Sequence, residues 1–258
     1  MRICHIDADI RGSATISHLV RQGLVQTFPC PTFKDAEGVM WGLNRGQIKA
    51  DMVVLDTLTA LAGVARQDIV MEPSQTKQFP IWDNRERLVA QKQDYYKTAD
   101  VINRLLRPLR ELPIPSIFVC HERSTRGMES RQDPLSGSDK FIPNLQREIN
   151  DNLFAFADAI VRLYPTTYPF EYMGQPVPAG TRILVLSATG DSAAGVRVPA
   201  DKPPAPPIMV IPDNDPYSFP RFVEAVGGSI PHNTVIYGPP KIGKTRLVGT
   251  AVHLQGVS

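Results

Sequence analysis

The sequence predicts an α/β fold, a mostly parallel sheet flanked by helices with a small β-containing extension. Three observations carry that prediction. Short apolar runs end in polar or acidic residues, as in "RICHIDAD", "DMVVLD" and "SIFVCHE". Stretches of helical periodicity separate these runs, the pattern of strands that feed crossover helices. After Tyr164 the texture changes, and "VPADKPPAPPIMVIPDNDP", Val198 to Pro216, is too rich in proline for a central strand or a helix. A chain of 258 residues that is 42% hydrophobic can bury one substantial core, so a single main domain is expected.

In chain order, Arg2 to Ile6 reads as a buried strand that delivers Asp7 and Asp9 at its C-terminal end. A helix is expected from Lys34 to Lys49 and a second strand from Asp51 to Asp56. Asn84 to Leu112 reads as a long amphipathic helix bent near Pro108, with Val101, Leu105 and Leu109 on helical spacing. The third strand, Ser116 to Cys120, is closed by His121 and Glu122, and a helix follows from Pro143 to Phe156. Ala157 to Tyr164 is the fourth strand and Asn233 to Gly238 the fifth. Between them, residues 165–228 read as a peripheral extension containing the strand-like "GTRILVLSAT" and an extended connector. Residues 1–164 and 229–258 are then expected to form one core.

Composition narrows the class only a little. A formal net charge of +2 does not identify a nucleic-acid binder, although it leaves room for a local basic surface. Cys4, Cys30 and Cys120 are widely spaced and form no CxxC pair, which argues against a zinc site or a disulfide framework. "MRICHIDADIRG" carries aspartates at positions 7 and 9, which neither a secretory signal nor a membrane helix tolerates. The expected location is the cytoplasm, that of the host if the chain is phage-encoded, with no membrane partner.

The most specific feature is "GPPKIGKT", which fits G-x-x-x-x-G-K-[ST] at every fixed position. It comprises Gly238, Pro239, Pro240, Lys241, Ile242, Gly243, Lys244 and Thr245, and Arg246 opens the segment behind it. An apolar strand before the loop and a helix-compatible "KTRLVGTAVHLQ" after it are the context this motif requires. Loop N–H groups would cradle the phosphates of ATP or GTP, Lys244 would reach the β and γ phosphates, and Thr245 would ligate Mg2+. Magnesium in such sites also needs an acid at the end of a neighbouring strand, and Asp56 supplies one. Hydrolysis requires a carboxylate that orients or deprotonates water. Asp7 and Asp9, two apart on a strand and so on one face, are the candidates.

The loop normally precedes the strands that carry these acids. Reading from Asn233 through Ser258 and then restarting at Met1 restores that order, so the sequence reads as circularly permuted. Domain termini commonly lie together at the surface, which makes such a change physically reasonable. The alternative is that a second domain follows Ser258.

Through "IYGPPKIGKT", "ICHIDADIRG", "MVVLDTLTAL", "IPSIFVCHERS", "DAIVRLY" and "ATGDSAAGVR" the chain resembles RecA-like ATPases of the P-loop class. Within them it is similar to the compact phage AAA-type proteins of the Sak group that assist single-strand annealing. The resemblance implies ATP and Mg2+ as ligands and Asp9 as the water-activating acid. It also implies His121 as a γ-phosphate sensor; read alone, His121 fits a structural histidine equally well. It further implies that the segment after the sensor strand, with Arg123, Arg126, Arg131 and Lys140, holds single-stranded DNA. Without the resemblance, that charge cluster is an ordinary solvated loop. A ring or filament of identical subunits is implied, in which a neighbour's cation completes the ATP site. Arg197 is the candidate cation, with Lys202 as its competitor.

Three functions are compatible with these residues. The first is a DNA-stimulated ATPase in annealing or recombination. The second is a nucleotide-gated adaptor, such as a helicase loader or a partner of a single-strand binding protein. The third is a small-molecule P-loop kinase.

Overall fold

A computed structural model describes residues 1–10, 12–71, 90–125 and 140–254. Its centre is a ten-stranded sheet. Five apolar strands form the parallel interior: β1 (Ile3–Asp7), β3 (Met52–Asp56), β4 (Ser116–Ser124), β6 (Ala159–Pro165) and β12 (Asn233–Gly238). A sixth parallel strand, β2 (Val25–Pro29), pairs with β1 at one margin. The order across the sheet is β2-β1-β3-β4-β12-β6, so the last strand in sequence lies between two earlier ones.

Beyond β6 the sheet continues in antiparallel sense through β9 (Arg182–Val185) and β11 (Ile208–Ile211). Two short strands join from the side, β5 (Phe141–Pro143) on β4 and β10 (Gly195–Val196) on β6. A separate hairpin is formed by β7 (Phe170–Tyr172) and β8 (Gln175–Val177). Residues 165–228 therefore extend the main sheet as well as covering it. Pro203, Pro204, Pro206, Pro207 and Pro212 flank the edge strand β11, where proline is tolerated.

Because β1, β3, β4 and β12 are covered on both faces, they read as continuous apolar runs and not as alternating ones. On one face, Cys4, Ile6, Val53, Leu55, Phe118, Cys120, Val235 and Tyr237 pack with four helices. These are α3 (Phe33–Asn44), α4 (Leu58–Met71), α5 (Lys92–Glu111) and α6 (Arg147–Phe156). The opposite face, with Ile3, Met52, Val54, Ile117, Val119 and Ile236, packs with the other group. That group includes α2 (Ser17–Arg21), α7 (Ser218–Ala225) and α8 (Lys244–Gly249). The four-residue α1 (Gly12–Thr15) bridges β1 and α2, and a 3-10 turn, Thr250–His253, follows α8.

Local chemistry sets the helix boundaries. Thr32 and Asp35 form a capping box that starts α3, which ends at Asn44, short of the expected Lys49. In α5, Leu105, Leu106 and Leu109 are buried, and the helix runs through Pro108 to Glu111. Of the expected start of that helix, residues 84–89 lie outside the described residues. Pro143 belongs to β5 and not to a helix, because α6 begins only at Arg147.

The backbone approach between β12 and β6 is the tightest in this frame. A Cβ on Gly238 would stand 2.0 Å from the carbonyl oxygen of Leu163. Gly238→Ala is expected to destabilise the fold by about 3 kcal/mol through overpacking against backbone, lowering Tm by about 6–12 °C in a chain of this size. Gly63→Ala, in α4 with open space at its Cβ, serves as the control. Thermal unfolding of both variants by circular dichroism checks the contrast, and a Gly238→Ala protein as stable as Gly63→Ala would refute it.

Candidate functional site

All six parallel strands point the same way, so their C-terminal ends share one margin of the sheet. Asp7 is level with Asp56 across β1 and β3, and Gly238 is level with His121 across β12 and β4. The glycine-rich loop leaves β12 at this margin. Pro239 and Pro240 have no N–H to offer, and Lys241 and Gly243 have positive φ values of 63° and 98°. Left-handed residues in a short loop bring successive N–H groups into a concavity, the geometry of an anion nest.

Lys244 folds back into its own loop. Its buried ammonium donates to the carbonyls of Gly238 at 3.0 Å and Pro239 at 2.6 Å. Burial lowers its pKa to about 8, against the opposing pull of the Asp56 carboxylate. Thr245 donates its hydroxyl to Asp56 Oδ2 at 2.5 Å, joining residues 189 positions apart in the chain. The same oxygen lies 3.4 Å from His5 Nε2, and the other ring nitrogen of His5 lies 3.4 Å from the Thr27 hydroxyl. His5 is fully buried, and sequence reading missed it. The signal was the strand period, which puts His5 on the same face as Asp7.

The two candidate acids on β1 occupy different environments. Asp7 is buried, with Oδ2 accepting the Ser13 N–H at 3.1 Å and Oδ1 lacking a partner. Gly12 separates it from Asp56: a Cβ there would stand 3.0 Å from Asp56 Oδ2 and 3.4 Å from Asp7 Oδ1. Asp9 is exposed and lines the cleft. That cleft, of about 730 Å³, is bounded by Asp9, Gly12, Asp56, His121, Lys241, Ile242, Gly243, Lys244, Thr245 and Arg246. Gly180, Arg182, Asp213 and Asn214, from the antiparallel side of the sheet, close it. Asn214 accepts from the Arg246 guanidinium at 2.5 Å.

His121 lies within β4, which continues three residues past it because β5 pairs with Glu122, Arg123 and Ser124. The His121 N–H donates to the Thr59 hydroxyl at 3.0 Å, and Nδ1 of its ring is buried without a partner. Glu122 turns elsewhere. It forms a 2.8 Å ion pair with Arg162, whose guanidinium lies over the rings of Phe141 and Tyr164 at 3.9 and 4.4 Å. Arg162 also reaches Asp191 and Ser192, so this cluster is internally satisfied.

Of the candidate DNA-binding residues, Arg123 is half-buried on β4 and Lys140 is exposed. The Thr125 N–H donates to the Lys140 carbonyl at 2.8 Å, which brings the two ends of the segment together. Arg126 and Arg131 lie outside the described residues. Arg197 is far from the phosphate loop in register: it pairs with Asp158 at 3.5 Å, beside the N-terminal end of β6. Lys202 is also exposed, on the connector.

No family model matches the chain, and no curated protein matches it. Among the described residues, no helix is long and apolar enough to cross a membrane.

Burial is the main force on His121 and lowers its pKa, reinforced by the Lys244 charge and opposed by Asp9 and Asp56. The folded state thus prefers the neutral ring. Its contribution to stability is complete above the ordinary value near 6.5 and is lost progressively as pH falls below it. The His121 Hε1 chemical shift, followed by NMR, is expected to titrate with a midpoint below 6.5, and a midpoint at or above that value would contradict the burial account.

Proposed function

We propose that the cleft binds MgATP and hydrolyses it, in a RecA-like P-loop core whose phosphate loop has been moved by circular permutation to follow the other motifs. One observation carries this reading: the hydroxyl of Thr245, directly behind the buried Lys244, is hydrogen-bonded to the strand-end carboxylate Asp56. A hydroxyl and a carboxylate that meet at the mouth of a nest suit a hard cation that completes its shell with phosphate oxygens and water.

The roles follow from the environments. Lys244 would exchange two loop carbonyls for phosphate oxygens, and burial gives a charged partner there more weight than in water. Thr245 and Asp56 would hold Mg2+, whose chemistry is to offset the charge that develops on the γ-phosphate. Asp9, exposed to the cleft, is better placed to orient water than Asp7, which is buried and does not line it. His121, neutral and with a free ring nitrogen, would sense the γ-phosphate.

The work coupled to this ATPase is the handling of single-stranded DNA in phage annealing or recombination. The segment bounded by Arg123 and Lys140 would follow the DNA phosphates, in an assembly of identical subunits. Arg197 sits by the opposite margin of the sheet, so it could serve only a neighbour's nucleotide.

Purified protein is expected to hydrolyse ATP faster with single-stranded DNA than without it. Lys244→Ala and Asp56→Asn are each expected to reduce the rate about 100-fold or more. A Lys244→Ala protein of full activity would remove the basis of the proposal. Nucleotide binding without hydrolysis would favour the adaptor reading, and a phosphorylated small-molecule product would favour a kinase.

A further inference from the structure

One cation at the cleft belongs to none of the motifs. Arg182 opens β9 opposite Pro165 of β6, and its side chain is only 14% exposed. Its Nη1 lies 2.7 Å from where a Cβ on Gly243 would stand, so the guanidinium rests directly against the phosphate loop. On its other side, Nη2 donates to the Pro212 carbonyl at 3.2 Å and pairs with Asp213 at 3.0 Å. Nε is buried and has no hydrogen-bond partner. Asp213 is 87% exposed, so the pair has one anchored member and one that water can take over at little cost.

We propose that Arg182 is a phosphate ligand supplied by the same chain, and that Asp213 is a surrogate anion which the nucleotide's phosphates replace. The inference rests on the cleft being a nucleoside-triphosphate site. Three features support it. The guanidinium already rests against the loop at Gly243, where a side chain would push it away. Its planar donors suit phosphate oxygens, and the buried, unpartnered Nε leaves the guanidinium short of acceptors. Its present partner is an exposed surface carboxylate and not a buried one, in contrast to Arg162, whose partner Glu122 is enclosed.

A purely structural pair would behave differently. If the Arg182 to Asp213 contact only pinned the 212–214 turn to β9, removing either partner would loosen the cleft and weaken binding in both cases. If Asp213 competes with phosphate, the two substitutions act in opposite directions.

Equilibrium binding of a fluorescent, nonhydrolysable ATP analogue with Mg2+ tests this on the full chain. Arg182→Ala is expected to weaken binding about 10–100-fold, the worth of a charge-assisted contact. Arg182→Lys should recover part of the loss. Asp213→Ala is expected to tighten binding about 2–5-fold, the scale of an exposed ion pair, and to lose that gain in the Arg182→Ala background. Unchanged affinity in Arg182→Ala, or a shift in the same direction for both single variants, would overturn the inference while leaving the nucleotide site intact. If Arg182→Ala does not fold, Asp213→Ala decides: tighter binding supports the role, and equal or weaker binding refutes it. Wild-type protein that binds no analogue would instead overturn the nucleotide reading and this inference with it.

Discussion

Strand β12 is paired on both sides, to β4 along its whole length and to β6 along most of it, and the remaining architecture depends on that double pairing. Adjacent strands lie about 4.8 Å apart, so without β12 the strands β4 and β6 would face each other across a gap about twice that wide. Strand β6, and with it β9 and β11, would then no longer be joined to β4 through paired strands. Filling the gap also fixes where the loop emerges. Because β12 runs parallel to both neighbours, Gly238 must appear at the same margin as Asp56 and His121. The position of the phosphate loop is thus a consequence of sheet register.

That margin concentrates charge in a poorly hydrated place. Asp56, Lys244, His5 and Asp7 are all buried within it, and each answers the cost of burial differently. Asp56 accepts from Thr245 and faces His5. Lys244 borrows two carbonyls from its own loop and still has its pKa lowered by burial to about 8. Asp7 leaves one oxygen unpartnered. Arg162, also buried, is instead surrounded by two carboxylates, a hydroxyl and two rings. The contrast separates the two clusters by purpose. A network in which each guanidinium nitrogen has a partner holds β4, β6 and the 191–192 turn together, and one with unmet electrostatic demand is suited to a ligand that arrives charged.

How much of this was legible in the sequence depended on whether the signal was local. The strands at Ile3, Val53, Phe118, Val161 and Val235 were readable because two-sided burial leaves continuous apolar runs, and the phosphate-loop motif has fixed spacing. Strand β2 was missed, since "VQTFP" is only partly buried at the sheet's margin and ends in proline. Helices α4 and α7 went unread: α4 is apolar on most of its circumference, and α7 lies inside a segment dominated by proline and glycine. His121 was read as a strand terminus because the apolar run stops at Cys120, whereas pairing with β5 carries the strand on to Ser124. At the site, Thr245 and Asp56 could be matched by motif. His5 was signalled only by the strand period it shares with Asp7, and Arg182 belongs to no pattern and acquires its place only through the sheet.

The same limit applies to the segment after Tyr164. Four residues such as "RILV" announce a strand but cannot say which sheet they will join. Pairing decides it, and the consequence reaches the cleft. With β9 against β6 and β11 against β9, the residues at Gly180 and at Asp213 and Asn214 come to one side of the glycine-rich loop. Asn214 then meets Arg246, and Arg182 meets Gly243. A parallel sheet alone would offer a cleft walled by the loop and the strand-end acids. The antiparallel continuation adds a wall that carries its own cation, so the segment that looked peripheral in sequence helps to determine what the cleft can hold.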